Sequence, residues 1–132
     1  MPGEVVLGRG RSDGGLDWEL LYWPEDRHGP QVAYGFIGIG WESHAPSEEF
    51  GDVFGLVGIS SNSRGLLMNG EVQSTVNRGI VECECETEVE ATIVDCTSRF
   101  GFNYFVAVLL NQAKPVVATS VDGSRAVKAF PR

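Results

Sequence analysis

Apolar and polar residues alternate with a period of two along most of this chain, and no apolar stripe with a period of 3.6 runs far enough to make a convincing helix. The alternation predicts strands over Glu4–Gly8, Asp17–Trp23, Gln31–Trp41, Val53–Ser60, Gly70–Val76, Ile80–Cys85, Glu88–Cys96, Phe102–Leu110, Pro115–Val121 and Arg125–Phe130. Turn-forming residues punctuate them: Ser12-Asp13-Gly14-Gly15, Pro24-Glu25-Asp26, His28-Gly29-Pro30, the run Ser60 to Gly65, Asn69-Gly70, Asn77-Arg78-Gly79 and Asp122-Gly123. The longest loop is Glu42–Asp52. Within it Ser47-Glu-Glu-Phe resembles an N-cap followed by acids, which predicts one weak helical turn. No repeat and no linker divides the chain, so a single domain over 1–132 is expected.

Short strands at this spacing predict an all-β fold, an antiparallel Greek-key β-sandwich first and a closed β-barrel with a ligand cavity as the alternative. Phe102–Leu110 adds a demand of its own. Tyr104, Val106, Val108 and Leu110 share one face, and Phe105, Ala107 and Leu109 share the other. A half-solvated strand alternates apolar with polar; this one needs cover on both sides. The domain core is one cover. The expected second cover is another subunit in a two-fold homodimer, with the Glu42–Asp52 loop folding back as the other candidate.

Composition narrows the function. A chain of 132 residues with 42% hydrophobic content builds its own core and is neither disordered nor a bilayer protein. No apolar run approaches the ~20 residues of a membrane helix, and Met1-Pro2-Gly3-Glu4 lacks the basic and apolar regions of a signal peptide. A cytoplasmic location is therefore expected, with no membrane partner. A net charge of −8 argues against nucleic acid, whose phosphates demand clustered Lys and Arg. The charge is concentrated: no basic residue lies between Arg78 and Arg99, a stretch that holds six acids.

Five of those acids form a row. Glu82, Glu84, Glu86, Glu88 and Glu90 occupy alternate positions, with Val81, Cys83, Cys85, Thr87, Val89 and Ala91 between them. Strand geometry sends the carboxylates outward, where like charge discourages edge pairing. The row is also a candidate contact for a basic partner or a hard cation, although Ca²⁺ needs six to eight converging oxygens and one strand spaces its carboxylates ~6.5–7 Å apart. Cys83, Cys85 and Cys96 are the only thiols, and His44 is the candidate fourth ligand beside them. Zinc sites favour Cys-x₂₋₄-Cys knuckles, which this spacing lacks, so the expected role is small buried hydrophobes and no metal is expected. Neither His28, in a Gly-Pro turn, nor His44, in an acidic loop, is placed as an oriented base for Cys96. Gly35-Phe-Ile-Gly-Ile-Gly-Trp41 lacks dinucleotide-loop spacing and reads as a strand with Ile37, Ile39 and Trp41 on a bulky inward face. No cofactor is expected. Trp18, Trp23 and Trp41 are candidates to line a small-ligand pocket, against a simpler role in packing.

Trp18-Glu-Leu, Phe102-Asn-Tyr-Phe-Val-Ala-Val-Leu and Pro115-Val-Val-Ala-Thr-Ser-Val-Asp-Gly resemble a β-sandwich module of actinobacterial proteins, over residues 80–126 above all. There a "phe-phe-val-ala-val-leu-pro" strand precedes a β-branched strand and an Asp-Gly turn. The chain departs from it at Leu110-Asn111, in place of proline, and in Cys83 and Cys85. The resemblance implies an immunoglobulin-like or fibronectin-III-like sandwich and carries no catalytic residues. The expected function is a non-enzymatic protein-interaction module. Its candidate contacts are Tyr104, Val106 and Val108 and the glutamate row. A small-ligand binder is the alternative, and an enzyme the third reading.

Overall fold

In the computed structural model, residues 3–12, 15–49, 54–61, 65–83, 88–110, 115–122 and 125–128 are described. Most of them are strand. The first four strands are β1 (Val5–Arg11), β2 (Asp17–Trp23), β3 (Gln31–Phe36) and β4 (Gly40–His44); they form an antiparallel meander in chain order. β2 and β3 are its inner strands and read as near-continuous apolar runs. Accordingly Trp18, Leu20 and Leu21 are buried on β2, and Val32, Ala33, Tyr34 and Phe36 on β3.

The remaining elements are β5 (Phe54–Ser61), β6 (Gly65–Gln73), β7 (Val76–Cys83), β8 (Glu88–Val94), the one-turn helix α1 (Thr97–Phe100), β9 (Phe102–Leu110), β10 (Pro115–Asp122) and β11 (Arg125–Lys128). They make a seven-stranded antiparallel sheet in the order β11-β10-β7-β8-β9-β6-β5. β8 divides its pairing: Glu88 to Ala91 face β7, and Thr92 to Val94 face β9. β6 pairs along its whole length with β9. Among the described residues each sheet keeps two unpaired edge strands, so neither closes into a barrel, as the alternative fold required. Contacts group the chain into two compact units, Met1–Glu48 and Glu49–Arg132, one for each sheet.

The core of the second unit follows strand parity. Leu66, Met68 and Val72 of β6 meet Phe105, Ala107 and Leu109 of β9, joined by Val76, Val81 and Ala91, with Val57, Ile59, Val89 and Ile93 packed against them. The register puts Leu66 opposite Leu109, Met68 opposite Ala107 and Val81 opposite Val89. Each large apolar side chain fully buried in such a core contributes about 1.5–3 kcal/mol.

Four local expectations are corrected. Asn69-Gly70 is not a turn but the middle of β6. Asn77-Arg78-Gly79 lies within β7, and the chain turns instead at Ser74 and Thr75. Gln31–Trp41 is not one strand; it breaks after Phe36 and resumes at Gly40. Residues 45–49 contain no helical turn, whereas Thr97–Phe100 do, closed by Gly101 at φ 81° donating its N–H to the Thr97 carbonyl at 2.9 Å.

Candidate functional site

Two places combine unusual exposure or burial with polar chemistry, one in each unit. The first is the β3–β4 hairpin. Ile39 N–H donates to the Phe36 carbonyl at 3.1 Å, and Gly38 lies at φ 81°. A positive φ at the third residue of a turn is the position that favours glycine. A methyl group on Gly35 would sit 2.1 Å from the Gly40 carbonyl oxygen, so the two strands approach closely only because residue 35 has no side chain. The tight backbone leaves Ile37, Ile39 and Trp41 exposed by 47%, 51% and 37%. This corrects the inward bulky face expected for them: residues 37 to 39 are the turn, and a strand's parity does not continue through it.

Charge around this sheet is largely internally engaged. Arg9 pairs with Glu19, and Arg11 Nε lies 2.8 Å from Asp17 Oδ1, which holds the Asp17 carboxyl below its usual range. Trp23 Nε1 donates to Glu4 Oε1 at 2.8 Å. Glu42 is exposed on β4. The Tyr34 ring tilts against His44 with centroids 6.2 Å apart, and its phenol is pushed up by burial first and by the charge of Glu42 second. The register places Trp23 and Trp41 on one face of the sheet and Trp18, opposite Phe36, on the other. The three tryptophans therefore do not line one pocket.

The second place lies on the β6–β9 face opposite the apolar core. Glu71 stands opposite Tyr104, and Asn69 opposite Val106. Asn69, Glu71 and Tyr104 are each 0% exposed. The Leu56 N–H donates to Glu71 Oε1 at 2.8 Å. Neither Asn69 Oδ1 nor Asn69 Nδ2 has a hydrogen-bond partner, which costs about 1–3 kcal/mol for a buried polar group. The Tyr104 phenol is pushed well up, by burial above all and then by the charge of Glu71. An edge-to-face aromatic contact joins Tyr104 to Phe102, 5.6 Å between centroids, and another joins it to Phe100. The sequence reading missed Asn69 and Glu71. Their signal was two polar residues interrupting Leu66-Leu67-Met68-Asn69-Gly70-Glu71-Val72, a run otherwise apolar on both parities.

The remaining candidates are placed as follows. Tyr104 and Val106 are buried within the chain itself and Val108 is half-buried. Phe105, Ala107 and Leu109 are buried on the other face. One chain thus covers both faces of β9, and a second subunit is not needed for that purpose. In the glutamate row Glu82 lies directly opposite Glu88, and Glu90 Oε1 accepts from Arg78 Nε at 2.6 Å. Val81 and Ala91 are buried between them, as parity requires. Glu84, Glu86 and Cys85 lie outside the described residues. Among the described residues no three His, Cys, Asp or Glu gather as a metal site. Cys96 is buried, and that burial, helped by Asp95, pushes its thiol up to about 11. A nucleophilic cysteine needs the opposite shift. Asn103, also missed, holds the start of α1: its Oδ1 accepts from Cys96 N–H at 3.0 Å and from Thr97 Oγ1 at 2.9 Å. No helix among the described residues is long and apolar enough to cross a membrane.

No family model, curated protein or solved structure matches the chain.

Proposed function

We propose that this protein is a non-enzymatic interaction module that binds another protein through the tip of the β3–β4 hairpin. The observation that carries the reading is the exposure of Ile37, Ile39 and Trp41 within five residues of a turn. Clustered exposed apolar side chains mark interaction surfaces, and a buried tryptophan is among the strongest anchors an interface has. The contact moves from the Phe102–Leu110 face to the hairpin, because the chain already buries most of that face. The module reading goes with the Greek-key β-sandwich expected for the chain. The order β7-β8-β9-β6 supports it, since the first of four consecutive strands returns beside the last. The resemblance of the β9 and β10 segments to the actinobacterial immunoglobulin-like module points the same way.

The test is affinity capture from host-cell lysate with the wild type and with Ile37→Ser/Ile39→Ser/Trp41→Ser. Thermal melting establishes that the variant keeps its fold. A partner held by the wild type and lost by the variant is expected; equal capture by both would overturn the reading.

One observation favours a second reading. Asn69 offers a buried, unpartnered amide on the same face as Glu71 and Tyr104, and convergent buried polar groups are how small-ligand sites orient a guest. Native mass spectrometry of the purified protein separates the two readings by showing whether a small molecule travels with the chain.

A further inference from the structure

The two edge strands of the first sheet are protected unequally. β1 shifts register between Val6 and Gly8. It also carries Arg9 and Arg11, which are paired to Glu19 and Asp17. Bulges and edge charges are the usual devices that keep a strand from recruiting another. β4 has neither device in that form. Its register with β3 runs unbroken from Gly40 to His44, and Gly40-Trp-Glu-Ser-His44 contains no Lys, Arg or Pro. Its three central residues, Trp41, Glu42 and Ser43, are all exposed, and no strand lies beyond it among the described residues. Its one charged residue is Glu42, and exposed Glu48 and Glu49 follow shortly after.

Resting on the hairpin reading above, we propose that β4 accepts an extended basic segment of a partner protein as a fifth strand of this sheet. In strand addition, main-chain hydrogen bonds supply affinity and alternate side chains supply specificity. Here the incoming strand places an apolar side chain beside Trp41 and a Lys or Arg beside Glu42, with Ile39 of the adjoining turn flanking its end. Charge selects this occupant. The chain carries −8 overall, which attracts a basic segment from a distance. The same charge disfavours a second copy. A fully overlapped antiparallel pairing of two β4 strands would set Glu42 directly opposite the same glutamate of the other copy, and like charges so placed are destabilising.

The experiment is fluorescence anisotropy with the full chain and labelled ten-residue peptides. One alternates Val and Lys, and one alternates Val and Glu. Two more are Val-Lys peptides N-methylated along one edge or along the other. The Val-Lys peptide should bind. Methylation along the pairing edge should weaken it about tenfold or more through lost main-chain bonds, while methylation along the other edge is tolerated. Glu42→Lys should transfer the preference to the Val-Glu peptide. Binding that ignores methylation on both edges overturns strand addition; if Ile39→Ser/Trp41→Ser still abolishes that binding, the hairpin reading survives alone. Binding that ignores both methylation and these substitutions overturns both. No binding of any peptide overturns the proposed basic strand, and the lysate capture then decides the hairpin reading separately.

Discussion

The two faces of the β6–β9 pair are built on opposite terms. On one, Leu66, Met68, Phe105, Ala107 and Leu109 meet in register, and the face is held by volume alone. On the other, Leu67 and Val106 are equally buried but share the surface with Asn69, Glu71 and Tyr104. The first gains stability from every atom it excludes from water. The second must match each donor to an acceptor, and at Asn69 it does not. A sheet buried on both sides can therefore be apolar on one side for stability and polar on the other for specificity or binding.

The comparison breaks most sharply at Phe105. Phe105→Ala empties the middle of the apolar face and should cost about 3–5 kcal/mol in denaturant unfolding. A loss under about 1 kcal/mol would mean that this face is not the core.

Alkaline pH sharpens the comparison, because the apolar face holds no titratable group, whereas the polar face holds Tyr104, whose phenol feels the charge of Cys96. An unfolded chain releases its Cys proton near about 8.5 and its Tyr proton near about 10. The fold retains the Cys96 proton to about 11 and the Tyr104 proton higher still. Above about pH 8.5 the unfolded state therefore binds fewer protons, and stability falls as pH rises. Full stability should hold below that point, with a loss on the order of 4 kcal/mol by pH 11. Urea unfolding at several pH values should show this slope reduced in Cys96→Ala and unchanged in Phe105→Ala.

A smaller contrast separates two changes at Glu71. Glu71→Ala strips the Leu56 N–H of its acceptor and should cost about 1–3 kcal/mol, whereas Glu71→Gln keeps an acceptor there and should stay within about 1 kcal/mol of wild type. Equal losses would show that charge, not the hydrogen bond, is what Glu71 contributes. The smallest effect is expected at Asn69. Asn69→Leu replaces an unpartnered amide with an apolar side chain of similar size, so it should be neutral or stabilise by about 1 kcal/mol. A large destabilisation would mean that a water or ligand satisfies the amide in solution.

Much of the architecture was legible from alternation. The β2 and β9 boundaries agree with the sequence reading to the residue, because both strands are long apolar runs bounded by turn residues. The misreadings share a cause. Asn69-Gly70 has turn chemistry, yet Gly70 is glycine because a methyl group there would sit 2.1 Å from Phe105 Cε1. The residue answers to a ring that arrives only when β9 pairs with β6, and no local pattern reports that. In Gly35–Trp41 the failure runs the other way. Alternation continues through the glycines, but Gly38 turns the chain and exposes the isoleucines that parity places inside. Asn69 and Glu71 escape the sequence reading for a related reason: strand parity gives two faces, not which of them meets water, and both residues are buried.

The long β6–β9 ladder also sets a clock for synthesis. Leu66 pairs with Leu109 and Gln73 with Phe102, so β6 leaves the ribosome well before its main partner exists. At about 5–20 residues per second this leaves an apolar strand without its ladder for seconds, with only β5 already available beside it. The β6 segment is thus where a chaperone would find this nascent chain, and where slowed translation would most favour aggregation.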